Sequence, residues 1–240
     1  MGFEMAEEDI QAGARELRDF YAAKDAAYFS GVRADILAEL PKDPAARILE
    51  IGCATGGTGE AALATGRAGF YRGVEFDPES AERARPLLTD VVCANVETID
   101  PALIADSYDV LILSEVLEHL IDPWGVMKTL APFVKPGGRV FASSPNISHH
   151  RVIRALLAGR FDYEAAGVMD RTHVRWFTPA SYRALFEEAG FETLSVGPLA
   201  PYPRKARLIN RLSGGRLAHL FQLQIMYKGR KAGAARPGGE

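Results

Sequence analysis

The architecture of this chain follows from residues 47–59, which read RILEIGCATGGTG. Residues 47–51 are a short and nearly continuous apolar run, typical of a strand buried on both faces of a parallel sheet. The glycines after it permit positive φ angles and a close approach of a ligand to the backbone. A helix predicted from about residue 60 points its electropositive N-terminus at the same loop. A tight turn between strand and helix also favours glycine without any ligand, so the loop alone leaves both interpretations open.

Strands and helices alternate along the chain. Besides the first strand, six segments are predicted as strands: 70–76, 90–94, 108–114, 139–144, 191–196 and 220–227. Helical spacing of apolar residues predicts helices at 7–24, 28–40, 115–121, 123–134, 148–158 and 178–189, beside those that follow the first two strands. This alternation predicts an α/β fold, a Rossmann-like three-layer sandwich in which helices cover both faces of a mostly parallel sheet.

Polar side chains lie at the ends of three consecutive predicted strands. Glu50 interrupts the apolar first strand, Glu75 lies at the end of the second, and Asn95 follows the third. The carboxyl ends of parallel strands share one edge of the sheet, where ligands bind. A carboxylate accepts both hydroxyl groups of a ribose, and an amide pairs with the edge of an adenine. The three strand ends therefore predict a pocket shaped for adenosine.

The composition is that of a folded protein. Of 240 residues, 48% are hydrophobic and 25% are charged, so there is enough apolar surface to offset chain entropy. No apolar run reaches the ~18 residues of a transmembrane helix, and the acidic N-terminus lacks the core of a secretion signal. The net charge of −3 argues against a nucleic-acid partner. Cys53 and Cys93 lack metal-pair spacing, which predicts a cytoplasmic chain with two buried thiols.

Charge is distributed unevenly along the chain. Residues 1–20 hold six acids against two bases, whereas residues 204–240 hold nine bases and one acid. A basic end can attract an anionic substrate or a membrane surface; the alternative is a solvated helix face followed by a frayed tail. Residues 229–240, rich in glycine and arginine, are predicted to be a disordered tail.

Four segments resemble, in order and spacing, the motifs of class I S-adenosylmethionine-dependent methyltransferases. They are ILEIGCATG (48–56), GVEFDP (73–78), YDVLILSEVLEHL (108–120) and LAPFVKPGGRV (130–140). The resemblance covers about residues 45–195 and implies a seven-stranded sheet with an antiparallel last strand. We therefore predict N-terminal helices at 1–44 that cover the cofactor pocket, and a methyltransferase domain at 45–228 with a lid insertion at about 145–178.

The same resemblance implies S-adenosylmethionine as the cofactor. The implied cofactor-binding residues are Tyr28, Glu50, Gly52, Ala54, Gly56, Glu75, Phe76, Asn95, Val96 and Ser114. Ala54 departs from the glycine usual in the family, so it needs a negative φ angle or some strain. Asn95 departs from the usual aspartate, but its amide still offers a donor and an acceptor to adenine.

Two other classes of protein compete for the glycine-rich loop. An NAD(P)-dependent oxidoreductase would use Gly52, Ala54 and Gly57 with a carboxylate about twenty residues further on, and Glu75 lies near that place. Glu50 argues against this class, because its members keep that strand apolar, and no second substrate domain is evident. A cofactor-binding subunit without catalytic activity is the third alternative, and a blocked acceptor pocket would mark it.

A second cluster follows the predicted fourth strand. In a helix over 115–121, Glu115, Glu118 and His119 share one face. Two carboxylates and an imidazole suit acid–base chemistry or a hard metal ion. His173 lies in a later polar loop, before another predicted helix.

These segments are similar to ubiquinone-pathway O-methyltransferases and small-RNA terminal 2′-O-methyltransferases. The similarity implies a divalent metal ion held by Glu115, Glu118, His119 and His173. In the alternative without a metal, Glu118, His119 and His173 are the candidate catalytic residues and an imidazole is the general base. Purely structural roles are the remaining alternative.

The acceptor itself is weakly specified. Residues 144–151, SPNISHHR, follow the fifth strand, where they either bind sugar hydroxyls or a phosphate, or only start a helix that Ser148 caps. We predict O-methylation of a small-molecule or glycan-type acceptor, with N-methylation of a natural product or sugar as the alternative. Both a monomer and a dimer are compatible with the sequence.

Overall fold

The structure of the protein is a computed structural model, which describes residues 31–233. Its strands are β1 (Arg47–Ile51), β2 (Phe70–Glu75), β3 (Asp90–Cys93), β4 (Tyr108–Ser114), β5 (Val134–Pro145), β6 (Phe191–Pro198) and β7 (Gln224–Lys231). Its α-helices are α1 (Ala34–Glu39), α2 (Gly57–Ala64), α3 (Pro78–Ala84), α4 (Pro123–Leu130), α5 (His150–Leu157), α6 (Pro179–Glu188) and α7 (Arg204–Leu212). The helix predicted at 7–24 lies outside the described residues, as does Tyr28.

The strands form one sheet in the order β3-β2-β1-β4-β5-β7-β6. β1 to β5 pair in parallel, and β7 is antiparallel to both β5 and β6. This sheet confirms the predicted fold, including its antiparallel last strand. The strand order reverses between β1 and β4, and a crevice opens at the carboxyl ends of strands where such a reversal occurs.

Helices cover both faces of the sheet because successive residues of a strand point to opposite sides. Leu49 and Leu111 face a core that α4 and α6 complete. Ile48 and Ile112 face a second core, to which α1, α2 and α3 contribute. All four side chains are fully buried, which accounts for the continuous apolar runs in the sequence.

Three helices begin with the same signal, a capping side chain followed by proline. The caps are Asp77 of α3, Asp122 of α4 and Thr178 of α6, and each accepts a hydrogen bond from the backbone N–H three residues further on. Proline fits the first helical position because its φ angle is already helical and its missing N–H would have had no partner. These caps fix where the loops beyond β2 and β4 end.

Two predicted strand boundaries are wrong, both in the β5–β7 pair, and the helix predicted at 28–40 begins only at Ala34. β5 begins at Val134 rather than at residue 139, and residues 135–138 form its irregular start. The last strand covers residues 224–231 rather than 220–227. Residues 229–231 are consequently not part of a tail, because β6 pairs with all three and β5 pairs with Gly229 and Arg230.

Two further sequence expectations are tested by burial and helix length. Within residues 31–233, none of the helices has both the length and the apolar character required to cross a bilayer. Cys53 is buried as predicted, whereas Cys93 is exposed at the end of β3, contrary to the prediction.

Candidate active site

A cavity of about 850 Å³ opens at the carboxyl ends of β1 to β4. Most of the predicted cofactor-binding residues line it: Glu50, Gly52, Ala54, Glu75, Phe76, Asn95, Val96 and Ser114. Glu115 and the three candidate catalytic residues, Glu118, His119 and His173, line it as well. Its volume is at the upper end of the range for small-molecule sites. Residues predicted to bind the cofactor and residues predicted to act on the acceptor therefore line the same cavity.

The turn after β1 is built from left-handed residues. Gly52, Ala54 and Gly56 have φ angles of 71°, 48° and 86°. A Cβ atom on Gly52 would lie 2.6 Å from the side chain of Val116, so this position requires glycine. Gly56 precedes α2 and packs against Ala84, where a Cβ atom would approach to 3.1 Å. Gly56 thus starts the helix and is not among the residues that line the cavity.

Ala54 adopts the strained alternative that the sequence left open. A left-handed conformation costs an L-residue roughly 1–2 kcal/mol. The strain is held in place by a hydrogen bond of 2.8 Å from the Ala54 N–H to Glu75 Oε2. The glycine-rich turn and the end of β2 are therefore fixed to each other.

We expect Ala54→Gly to raise the free energy of unfolding by about 1 kcal/mol, because relief of strain outweighs the greater freedom of glycine in the unfolded chain. Chemical denaturation of both proteins measures this change. Ala61→Gly is the control, since Ala61 lies inside α2 and the same substitution there should cost about 1 kcal/mol. Equal destabilisation by both substitutions would show that Ala54 is not strained.

The Glu75 carboxylate connects the first two strand ends. Besides the N–H of Ala54, it accepts the N–H of Asp77 on Oε1 at 2.9 Å. Burial raises the pKa of Glu75, and hydrogen bonds from the backbone N–H groups of Asp77, Ala54 and Phe76 oppose that rise. A carboxylate has about four lone-pair sites, so Glu75 can still accept a ligand hydroxyl.

Asn95 and Val96 continue the cavity wall beyond Glu75. Asn95 Oδ1 accepts the backbone N–H of Glu97 at 2.9 Å, which holds the amide in an Asx turn. Its carbonyl oxygen is thereby used within the loop, and its NH₂ group is the part that can donate to a ligand.

Glu50 is a buried acid inside the apolar strand β1. Only 3% of it is exposed, and Tyr71 donates its hydroxyl to Glu50 Oε2 at 2.8 Å. Burial raises the pKa of Glu50 to about 7, against the lowering effect of Tyr71 and Arg33. A carboxylate with this pKa changes charge near neutral pH and favours a cationic ligand group beside it.

We expect Glu50 to make the unfolding free energy depend on pH. Its pKa in the folded protein, about 7, exceeds its ordinary value of 4.5, so the stability it contributes is full below pH 4.5. That contribution is lost as the pH rises toward 7. Relative to Glu50→Gln, the wild type should lose about 3 kcal/mol between these pH values. Parallel curves in denaturation experiments across this range would contradict the shifted pKa.

Arg33 is a site residue that no sequence motif marks. Its guanidinium donates to Ser114 Oγ and, at 2.9 Å, to Ser143 Oγ, and it forms an ion pair with Asp35. Its backbone N–H donates to Thr58 at 3.1 Å, which holds the start of α1 against α2. The result is a partly buried cation in the cavity wall, beside Ser114.

The helix predicted over 115–121 does not form. Glu115 has a left-handed φ of 56°, and only Leu117–His119 form a single 3₁₀ turn. Glu115 therefore turns away from its predicted partners: its Oε2 accepts from Gln224 at 3.2 Å, and its Oε1 is buried without a partner. The prediction that Glu115, Glu118 and His119 share one helical face is wrong.

Glu118, His119 and His173 do come together. One ligand-type atom of each lies within 4.8 Å of the others, and the two imidazole rings meet edge to face at 4.8 Å. Both Nδ1 atoms face backbone carbonyls, that of Thr172 at 3.2 Å and that of Val168 at 3.1 Å. Since a carbonyl only accepts, each Nδ1 carries a proton, so the lone pair of either ring in its neutral form is on Nε2.

The Glu118 carboxylate is the least satisfied group of this cluster. It is 1% exposed, and neither oxygen has a protein hydrogen-bond partner of good geometry. Burial, then the nearby charge of Glu115, raise the pKa of Glu118 well above its ordinary value, while its backbone N–H and the Ser144 hydroxyl lie near enough to oppose that rise. Buried polar atoms are normally well paired, so this carboxylate in a cavity wall is a candidate for ligand binding or catalysis.

The segment after β5, residues 146–149, both stabilises the fold and contributes to the cavity wall. Asn146 is fully buried, and its Nδ2 donates to the carbonyls of His219 and Gln222, both at 2.7 Å. Its Oδ1 accepts from Ser148. His149, rather than Ser148, occupies the capping position of α5 and lines the cavity.

The fold is Rossmann-like, and its site is of the kind that binds a cofactor containing a nucleoside. Three features define this class: the sheet order, the glycine-rich turn after β1 and the acid at the end of β2. A family model described as "Methyltransferase domain" matches residues 21–196. The chain therefore belongs to the class I S-adenosylmethionine-dependent methyltransferases.

Curated relatives carry the name ubiquinone biosynthesis O-methyltransferase. The relative from Neisseria meningitidis serogroup A is 29% identical over 154 residues, which cover 61% of this chain and 63% of that protein. The relative from Xanthomonas axonopodis pv. citri is 27% identical over 198 residues, 78% of this chain and 81% of that protein. The match to the Neisseria protein thus spans less than two thirds of its length.

Solved structures agree on the fold. A SAM-dependent methyltransferase from Archaeoglobus fulgidus superposes with a TM-score of 0.62 at 17% identity, over 86% of this chain and all of that chain. At this identity the likeness concerns the fold alone. The comparisons confirm the resemblance inferred from the motifs and favour it over the oxidoreductase alternative.

Proposed function

We propose that this methyltransferase methylates a hydroxyl oxygen of a small-molecule or glycan-type acceptor. The observation that carries the proposal is the buried Glu118 carboxylate, which lacks a protein hydrogen-bond partner of good geometry and is grouped with two imidazoles. A hydroxyl must lose its proton during transfer, which a base cluster at the reaction site promotes. The names of the curated relatives, which are O-methyltransferases, support oxygen rather than nitrogen.

On the cofactor side, the fit rests on the strand ends. Glu75 would accept the ribose hydroxyls, and Asn95 and Val96 would flank the adenine. The methionine part would lie along Gly52 and Ala54 toward Ser114. The guanidinium of Arg33 would pair with the carboxylate of this methionine part. The buried acid Glu50 would stabilise a positively charged group beside it.

On the acceptor side, the residues hold and move a proton. When bound, S-adenosylmethionine would supply a methyl group from its positively charged sulfur: the acceptor oxygen bonds to the methyl carbon as the carbon–sulfur bond breaks, and S-adenosylhomocysteine leaves. The hydroxyl proton passes to Nε2 of His119 or His173, whose Nδ1 contacts to backbone carbonyls fix the tautomer needed. In its ionised form, the Glu118 carboxylate stabilises the imidazolium that forms, because an opposite charge nearby favours the charged ring.

A divalent metal ion is the second candidate for this cluster. One carboxylate and two imidazoles whose Nδ1 atoms face carbonyl oxygens form a donor set that metals accept. Glu118, His119 and His173 would hold the ion, without Glu115, and the ion would lower the pKa of an acceptor hydroxyl.

Methyl transfer to paired acceptors tests the proposal. The enzyme is incubated with methyl-labelled S-adenosylmethionine and with phenols or glycosides, each paired with its amine analogue. We expect label in the hydroxyl compounds, and label in the amines alone would contradict the proposal. Activity that is lost in chelator and restored by a divalent salt assigns the metal; full activity in chelator assigns the base.

A further inference from the structure

The β6–β7 connection, residues 199–223, is strongly basic. Residues 199–223 contain five bases and no acid. The bases are all exposed: Arg204, Lys205, Arg207, Arg211 and Arg216. None of them forms a salt bridge with another residue in the range 31–233. Their charge is thus available to a partner outside the described fold.

The outer face of α7 adds exposed leucines to this charge. Ala206 is 4% exposed and marks the side of α7 that rests on the protein. Leu208 and Leu212, four residues apart and therefore on one face, are 59% and 78% exposed. Arg211 and Lys205 lie on either side of Leu208 around the helix, at about −60° and +60°, because each residue advances by about 100°. An apolar stripe bordered by cations marks a helix that lies in a membrane interface.

The β6–β7 connection is fixed to the wall of the active-site cavity. Asn146 donates to two of its carbonyls, as described above, and His150 contacts the carbonyl of Leu220 through Nδ1 at 2.9 Å. Leu223 is 51% exposed and lines the cavity. The basic surface and the cavity opening are therefore neighbours, held together by hydrogen bonds that are buried or partly buried.

Helix α5 lies beside the β6–β7 connection, and its exposed residues are likewise leucines and arginines. Leu156 and Leu157 are 44% and 83% exposed, and Arg151 and Arg154 are exposed as well. A small pocket lined by residues of α5 and by Pro203 and Leu223 joins the two elements. The surface thus extends over two elements beside the cavity.

We propose that residues 199–223 together with α5 form a docking surface for an anionic phospholipid bilayer. The exposed cations would meet lipid phosphates, and the leucines would enter the boundary between headgroups and acyl chains. A second copy of the chain is a poor occupant, since it would bring the same five cations to the interface. Nucleic acid would use the cations but leave the leucines in water.

Docking in this way turns the active-site cavity toward the lipid. An acceptor that partitions into the bilayer then reaches Glu118 and the two histidines from the membrane side. This consequence rests on the proposed function, whereas the docking surface itself does not.

Vesicle sedimentation tests the surface with the full chain. The protein is spun with vesicles of phosphatidylcholine alone or with one third phosphatidylglycerol, at low and high salt. We expect binding to the anionic vesicles that weakens with salt. Each cation near such a surface strengthens binding about fivefold, so R204Q/R207Q/R211Q should bind about 100-fold more weakly. L208S/L212S should lose about tenfold or more.

Matched controls come from exposed residues elsewhere. K42Q/K128Q/R183Q removes as many exposed cations, and L103S/L194S replaces two leucines that are each 54% exposed. Both controls should bind like the wild type. No binding to anionic vesicles, or equal losses in controls and α7 variants, would overturn the proposal. So would a dimer in gel filtration that L208S/L212S dissociates, because the leucines would then be covered by a second copy.

The assay involves no methyl transfer, so its outcome is separable from the proposed function. Turnover of a water-soluble acceptor should be unchanged in the α7 variants. If docking fails while turnover is intact, only the docking proposal is overturned. If turnover fails while docking is intact, only the proposed reaction is overturned.

Discussion

Glu118→Gln is expected to lower kcat by about 10²–10⁴-fold while the Kd for S-adenosylmethionine changes little. The substitution keeps the size of a side chain that is 1% exposed, but removes the carboxylate from the cluster with His119 and His173. The imidazole that takes the acceptor proton then lacks its neighbouring charge. Single-turnover kinetics and calorimetry on the same preparation measure both quantities.

Two controls separate this loss from damage to the fold. Glu79→Gln changes an exposed glutamate of α3 and should leave kcat and Kd unchanged. His119→Ala combined with Glu118→Gln should be little worse than either alone, since residues that act as a unit are not additive. If Glu118→Gln weakens cofactor binding as much as turnover, its assignment to the acceptor side is wrong.

Glu75→Ala is expected to raise the Kd for S-adenosylmethionine by about 10–100-fold with a smaller effect on kcat. A carboxylate that accepts ribose hydroxyls makes charge-assisted hydrogen bonds, each of which contributes about 1.5–3 kcal/mol. The substitution also removes the acceptor for the N–H groups of Ala54 and Asp77, which hold the glycine-rich turn. Calorimetric titration measures the Kd directly.

Glu75→Gln refines that experiment. The amide keeps an acceptor for one backbone N–H but loses the charge, so its Kd should lie between those of wild type and Glu75→Ala. Glu79→Ala, four residues away on α3, is the matched control and should not change the Kd. A Kd unaffected by Glu75→Ala would contradict the ribose role.

Much of the sheet could be predicted because its signals are local. Buried parallel strands such as β1 and β4 are continuous apolar runs, and capping residues such as Asp77 mark where helices begin. The end of β7 could not be predicted in this way, because Lys228 and Arg230 are polar. That segment is a strand because β5 and β6 supply backbone partners on both sides, which no local pattern records.

Positions at strand ends can be predicted from the sequence. The carboxyl ends of neighbouring strands converge, which predicts Glu75 and Asn95 beside one cavity, and both line it. Glu115 was placed wrongly, because a left-handed φ in a residue other than glycine or asparagine is rarely expected from sequence. Arg33 was missed because it lies outside every motif, and only the fold brings it against Ser114 and Ser143.

His173 shows how a distant residue joins a site. It lies 54 positions after His119, in a loop with little regular structure. The backbone N–H groups of Val174 and Arg175 donate to the Glu118 carbonyl at 2.9 and 3.0 Å, which fixes the loop beside the 3₁₀ turn. The sequence indicated the histidine through resemblance, and these hydrogen bonds explain why the two rings meet.

The central claim is that the cavity at the ends of β1 to β4 holds the nucleoside of S-adenosylmethionine. Calorimetry of the purified chain with S-adenosylhomocysteine and with NADH, followed by a crystal structure of the bound complex, tests it most directly. We expect binding of S-adenosylhomocysteine alone, with its ribose on Glu75 and its adenine beside Asn95 and Val96. Binding of NADH instead, or density for the nucleoside away from Glu75, would contradict the account.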